Sequence, residues 1–217
     1  MIECLIVSLL LIFIITSLIK NVYYKIKRNA IGKNGENEVN KIISKNLNRN
    51  FYILKDILLN HNEKTSQIDH IIISKKGIFV IETKNYSGKI IANKDKKYWT
   101  QFVKGEKHFF FNPILQNEGH IRMLKNILKY KYGRNINIYS VVVFTNRSKV
   151  ENIDFLDSVI YINQLIKFIK NKKCSRKDMI SKDDMNYLKD LILENNIKDK
   201  KIRNKHIKYV KEIAGKK

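Results

Sequence analysis

Gln67-Ile68-Asp69-His70-Ile71-Ile72-Ile73-Ser74-Lys75-Lys76-Gly77-Ile78-Phe79-Val80-Ile81-Glu82-Thr83-Lys84 is the stretch on which the fold turns. Residues 67–74 and 77–84 are two strand-length runs rich in Ile, Val and Phe, separated by a polar turn with a glycine, so they form an antiparallel hairpin. Strand side chains alternate faces. Pairing Ile73 with Ile78 across the turn sets Asp69 opposite Glu82 and Gln67 opposite Lys84, at the end of an otherwise apolar face. Opposed residues have Cβ atoms ~4.5–5.5 Å apart, and like charges so placed repel. A divalent cation between Asp69 and Glu82 removes that repulsion and makes a hard oxygen site suited to Mg²⁺. Lys84 beside it can orient or activate a water and stabilise developing negative charge. A one-residue bulge at Gly77 would instead bring His70 across from Glu82. The acid-x-Lys spacing recurs at Asp95–Lys97 and Asp199–Lys201, in polar segments. Only Glu82–Lys84 ends a strand that reads as buried on both faces, and the competing reading there is a solvated strand end.

Outward from the hairpin the chain reads as α/β. Residues 51–59 predict a strand, and 87–92, 98–103 and 108–111 predict shorter ones. The apolar run 136–144 predicts a buried parallel strand, and 159–162 another. Asn34 predicts the cap of a helix starting near Gly35, with Val39, Ile42, Ile43 and Leu47 at helical spacing. Glu36 falls on the buried side of that helix. Its plain reading is a first-turn acid complementing the helix dipole. Asn112-Pro113 predicts a helix start, carried to Tyr132 and stopped by Gly133, with Gln116 in its first turn. Further helices are predicted at 163–170, 182–194 (capping box Ser181/Asp184) and 199–214, the last strongly basic.

Residues 4–19 are uncharged and almost wholly apolar, and extending them to Tyr24 admits only Lys20. About 20 such residues suffice to span a bilayer. Met1-Ile2-Glu3 supplies no basic leader and no small-x-small cleavage site follows, which favours an uncleaved anchor over a signal peptide. Lys20, Lys25, Lys27 and Arg28 place the following chain in the cytoplasm. The net charge is +23, from 43 Lys+Arg against 20 Asp+Glu. A field of that sign attracts nucleic acid or anionic lipid, although seven Arg against 36 Lys, amid abundant Asn and Ile, also fits an A/T-rich coding bias. Two cysteines exclude a disulfide framework, and the five histidines lack zinc-ligand spacing on one helix.

Several motifs resemble, in order and spacing, the nuclease-related domain (NERD) family of the PD-(D/E)xK nuclease-like superfamily. They are Gly32-Lys33-Asn34-Gly35-Glu36, Gln67-Ile68-Asp69-His70, the run from Gly77 to Gly88, Trp99, Asn112-Pro113, Gln116-Asn117 and His120. Ile68 stands where the superfamily's name-giving Pro precedes the acid. The resemblance spans roughly residues 30–145. It implies a restriction-endonuclease-like mixed central sheet flanked by helices; with the apolar run read as one N-terminal transmembrane helix, the expected organisation is anchor 1–24, nuclease-like domain 25–165 and basic helical extension 166–217. It assigns Asp69 and Glu82, with the Thr83 carbonyl, as ligands of Mg²⁺ or Mn²⁺ and Lys84 as the catalytic lysine. Glu36 would support metal or water, and Gln116 the phosphate or Lys84. The implied reaction is Mg²⁺-dependent phosphodiester hydrolysis, with DNA favoured over RNA, while the apolar run and the A/T-rich coding bias point to a bacterial cell membrane. The competing reading keeps the same fold as a catalytically idle nucleic-acid-binding or membrane-scaffold module. A lipid-facing protein whose charge serves only the membrane is a third. Trp99 and Phe109–Phe111 read as core rather than base-stacking residues. His70 and His120 read as structural, with His120 the better candidate for substrate contact. The basic tail reads as a solvated helix face.

Overall fold

The computed structural model describes the backbone of residues 2–132 and 135–215. The expected helix stop at Gly133 lies outside the described residues. The first element is one unbroken helix, α1 (Ile2–Asn46). From Leu9 to Ile26 its large apolar side chains are all exposed, and among the described residues it is the one helix long and apolar enough to cross a membrane. Asn34 therefore caps nothing: it sits mid-helix. Residues 25–34 hold no Pro and one Gly among good helix formers, so a helix already nucleated upstream continues through them.

The strands are β1 (Tyr52–His61), β2 (Lys64–Ser74), β3 (Gly77–Lys84), β4 (Gly88–Ile91), β5 (Tyr98–Val103), β6 (Glu106–Phe111), β7 (Ile138–Phe144), β8 (Ser148–Glu151) and β9 (Val159–Tyr161). The helices that follow α1 are α2 (Pro113–Lys131), α3 (Leu165–Asn171), α4 (Lys182–Glu194) and α5 (Lys200–Gly215). Two mixed sheets form, not one: a five-stranded sheet in the order β1-β2-β3-β7-β9 and a four-stranded sheet in the order β6-β5-β4-β8. β7 runs parallel to β3, with Val142 beside Glu82 and Phe144 beside Lys84.

Alternation along β2 and β3 builds two cores. Ile71, Ile73, Ile78 and Val80 pack under α2 and α4. Ile72, Phe79 and Ile81 pack under α1 and α3, against Val39, Ile43 and Leu165. A third cluster joins the sheets through Ile90, Trp99, Phe144 and Val150. The β2–β3 hairpin has the expected register, with Ile73 paired to Ile78 and His70 to Ile81, and no bulge at the turn. Gly77 closes that turn at φ +125°, and a Cβ there would collide with the Asn137 carbonyl. α2 begins as Asn112-Pro113 predicts, Asn112 Oδ1 accepting from the Ile114 amide at 2.9 Å. Asn117, fully buried, donates to the Val80 carbonyl (2.8 Å) and Ser140 Oγ (2.9 Å), which pins α2 to β3 and β7.

Candidate active site

The polar side chains converge where β3 ends. The paired ladder stops at His70–Ile81. One residue further, Asp69 Oδ2 accepts from the Thr83 amide at 2.8 Å, so the carboxylate terminates the hairpin beside Glu82. Glu82 is buried at 3% exposure. Its Oε1 meets Lys84 Nζ at 2.6 Å and its Oε2 meets His120 Nε2 at 3.0 Å. Lys84 Nζ also donates to Gln116 Oε1 at 2.9 Å. Glu82 and Lys84 share the β3 face that looks at α2, and Gln116 and His120 stand one turn apart on that helix. Four sequence-identified residues thus form one connected group. The other nitrogen of His120 is taken by Ser66 Oγ at 2.6 Å, so its ring is fixed between β2 and β3.

Gln67 does not face Lys84. It pairs with Leu58 of β1 and donates to Asp56 at 2.7 Å. β2 pairs with β1 along nearly its whole length, and at Gln67 its ladder with β3 has already ended, a tertiary arrangement that the hairpin sequence does not express.

Glu36 enters from α1, half-buried. The helix is brought in by Asn85, whose Nδ2 donates to the Ile31 carbonyl at 2.6 Å and whose Oδ1 accepts from Thr145 at 2.7 Å. A Cβ on Gly35 would lie 2.5 Å from Asn85 Cβ, so this approach requires glycine. Asn85 is a positioning residue that sequence reading passed over, although it directly follows Lys84. Glu36 and Asp69 line a cleft of about 500 Å³ with Lys33, Lys55, Lys198 and Arg203. Its far wall belongs to the C-terminal segment: Arg203 pairs with Asp56, the Ile197 amide donates to the Leu58 carbonyl at 2.9 Å, and His206 Nδ1 contacts Thr65 Oγ1 at 2.7 Å.

The carboxylates are electrostatically divided. Burial, then repulsion from Glu82 and Glu36, drives the Asp69 carboxyl well above the ordinary range, against the Thr83 amide and Lys84. Burial, with Asp56 and Glu82, also raises Glu36. For Glu82 burial acts in the same direction but is overcome by Lys84 and His120, which hold it at about 2. Burial opposes the Lys84 charge, yet Glu82 and Tyr86 raise that ammonium above its usual value. The outcome is a charged Glu82–Lys84 pair beside two acids that resist ionisation.

Among the described residues no three His, Cys, Asp or Glu are drawn close enough to hold a metal ion by themselves, and both Glu82 oxygens are engaged by Lys84 and His120. The donor chemistry nevertheless fits a hard cation. Asp69, Glu82 and Glu36 offer carboxylate oxygens only, and their mutual repulsion is the cost that a dication lifts. Thr83 adds a buried hydroxyl with no partner among the described residues.

His70 lies under this site, 2% exposed. Burial and Lys55 push it down to about 4. A depressed histidine withholds its proton in the folded state, so its neutral form is fully accommodated above pH ~6.5 and stability falls as acid is added down to pH ~4. The loss should be about 2–3 kcal/mol. Chemical denaturation of the parent and His70→Leu across that range checks this. An equal loss in both would show that other groups are responsible.

The family model for the nuclease-related domain matches residues 31–145. An uncharacterized protein of Bacillus anthracis is 32% identical over 184 residues, covering 82% of this chain and 83% of that protein. No solved structure gives a significant match. The matched span opens at the α1 residues that Asn85 holds, includes Glu36, Asp69, Glu82, Lys84, Gln116 and His120, and ends one residue after β7. The chain belongs to the nuclease-related domain family, whose usual placement is among the PD-(D/E)xK-like nucleases.

Proposed function

We propose that this protein hydrolyses phosphodiester bonds of nucleic acid, DNA in preference to RNA, with a divalent metal ion, and that α1 tethers it to the cytoplasmic face of a cell membrane. The observation that carries the reading is the Glu82–Lys84–Gln116–His120 group with Asp69 beside it, at the sheet end where a basic cleft opens. Asp69 and Glu82, with the Thr83 carbonyl, would hold Mg²⁺ or Mn²⁺. When bound, the ion supplies Lewis-acid polarisation of the phosphoryl group and a more acidic water.

The chain's own residues do the rest. Lys84, kept cationic by Glu82, is an electrostatic donor to charge developing on the phosphoryl oxygens, not a proton acceptor. Gln116 fixes its ammonium. Glu36, with a raised carboxyl at the cleft, is placed to take a proton from the attacking water as the phosphorus–oxygen bond to the leaving group breaks. Lys33, Lys55 and Lys198 attract the phosphate backbone into the cleft. The exposed apolar face of α1 followed by Lys25, Lys27 and Arg28 supports the tether and its orientation.

The test uses the full chain in neutral detergent with plasmid, linear and single-stranded DNA and with RNA. Cutting should need Mg²⁺ or Mn²⁺, stop with EDTA, and be strongest on DNA. Tight, salt-sensitive binding without cutting under any metal would replace this reading with the idle binding module.

A further inference from the structure

We propose that the outer face of the four-stranded sheet β6-β5-β4-β8 is a stacking platform for unpaired bases of single-stranded nucleic acid; this rests on the nuclease reading above and narrows its substrate. Residues 109–111 divide between the two faces. Phe110 points inward, its ring 4.5 Å from Tyr86 and 6.1 Å from Trp99. Phe109 points outward and is 61% exposed. The β5–β6 register pairs Phe102 with Lys107 and Thr100 with Phe109, so Phe102, Lys107 and Phe109 share one face. Ile91 and Lys149 continue that face across β4 and β8. The opposite face is already used, with Ile90, Trp99 and Val150 in the core. A sheet buried on one side would normally present polar residues on the other, but Phe102 and Ile91 are left 36% and 38% exposed there.

Geometry and charge select the occupant. Phe102 and Phe109 are diagonal cross-strand neighbours, about 7–8 Å apart, and their rings stand on an open sheet face where successive bases can lie against them. Lys107 Nζ sits 5.0 Å from the Phe109 ring centroid, beside where a phosphate would run. By register Lys89, Lys107 and Lys149 share this face with one acid, Glu151, which pairs with Lys89 at 2.7 Å. That excess repels a second copy of the same face and attracts a polyanion. A duplex hides its base faces, so exposed rings favour unpaired strands. Rings on a sheet face, unlike rings on a projecting loop, are poorly placed to enter a bilayer. The platform is also joined to the catalytic elements: Gln101 donates to the Ser87 carbonyl at 2.7 Å, three residues after Lys84, and β6 leads through Asn112 into α2.

The experiment uses the full chain in neutral detergent, in EDTA so that nothing is cut, with fluorescence anisotropy of a labelled oligo-dT of about 16 nucleotides and of a duplex of equal length. Phe102→Ala/Phe109→Ala should weaken oligo-dT binding about ten-fold or more and leave duplex binding within about two-fold. Phe102→Tyr/Phe109→Tyr, which keeps both rings, should bind as the parent does. Unchanged oligo-dT affinity in the Ala pair overturns the proposal, as does equal weakening toward duplex, or weakening in the Tyr pair. Loss of a dimer or of binding to anionic vesicles, with oligo-dT binding intact, would assign the face to those partners instead. Binding in EDTA is independent of chemistry: a stacking platform on a protein that never cuts defeats the nuclease reading alone, and metal-dependent cutting with insensitive oligo-dT binding defeats the platform alone.

Discussion

Asp69→Asn should remove metal-dependent cleavage by about 10³-fold or more while leaving the protein as stable as the parent or more so. The asparagine keeps an oxygen to accept from the Thr83 amide, as Asp69 does at the hairpin end. What it loses is the charge. In the parent that charge is unfavourable, because burial, Glu82 and Glu36 all raise the Asp69 carboxyl. A carboxyl raised in the folded state is best tolerated below its unfolded value near 3.8, and its stability contribution is lost as pH rises through the folded value. The stability gap between variant and parent should therefore widen toward neutral pH and close in acid. Cleavage assays with thermal melts at two pH values test both halves. Retained cleavage would remove Asp69 from the site, and a destabilised variant would make its role structural.

Lys84→Met is expected to be costly in both respects. It leaves Glu82, at 3% exposure, with His120 as its remaining partner. Breaking a buried ion pair from one side typically costs about 3–5 kcal/mol, because a buried charge is stranded. Activity should fall with it, since the cationic donor is gone. The two effects separate in the double variant Glu82→Gln/Lys84→Met, where neither charge remains. Most of the stability should return and none of the cleavage. A double-mutant cycle by chemical denaturation reads the coupling directly. A Lys84→Met protein as stable as the parent would mean that the pair contributes little and that Glu82 is readily neutralised.

The hairpin and its register were legible because a tight turn and two apolar faces fix strand pairing locally. β7 was legible as an apolar run, and the start of α2 from Asn112-Pro113. The Ser181–Asp184 capping box was legible for the same reason, since both partners lie within four residues. Features set by distant segments were not. Gln67 turns to Asp56 because β1 lies on that side of β2. Residues 109–111 read as a single aromatic block until the β5–β6 register sends Phe110 inward and Phe109 outward. The C-terminal helix reads as a free basic face, yet Arg203 and His206 dock it on the β1–β2 ribbon from more than 140 residues away. β8, Ser148–Glu151, carries too little apolar pattern to announce itself.

As the proposed tether, the unbroken α1 would act as a measuring rod. Twelve residues of helix separate Tyr24 from Glu36, a length of about 18 Å. The helix is held at Ile31 and Gly35 by Asn85, the residue directly after β3. The end of the sheet that carries Asp69, Glu82 and Lys84 is therefore the end nearer the anchor. With residues 4–24 in a bilayer, as proposed above, the site would stand at a fixed distance from the lipid. A rigid helix of that length would set how closely a substrate must approach the membrane to be reached, a distance that a flexible linker would leave free.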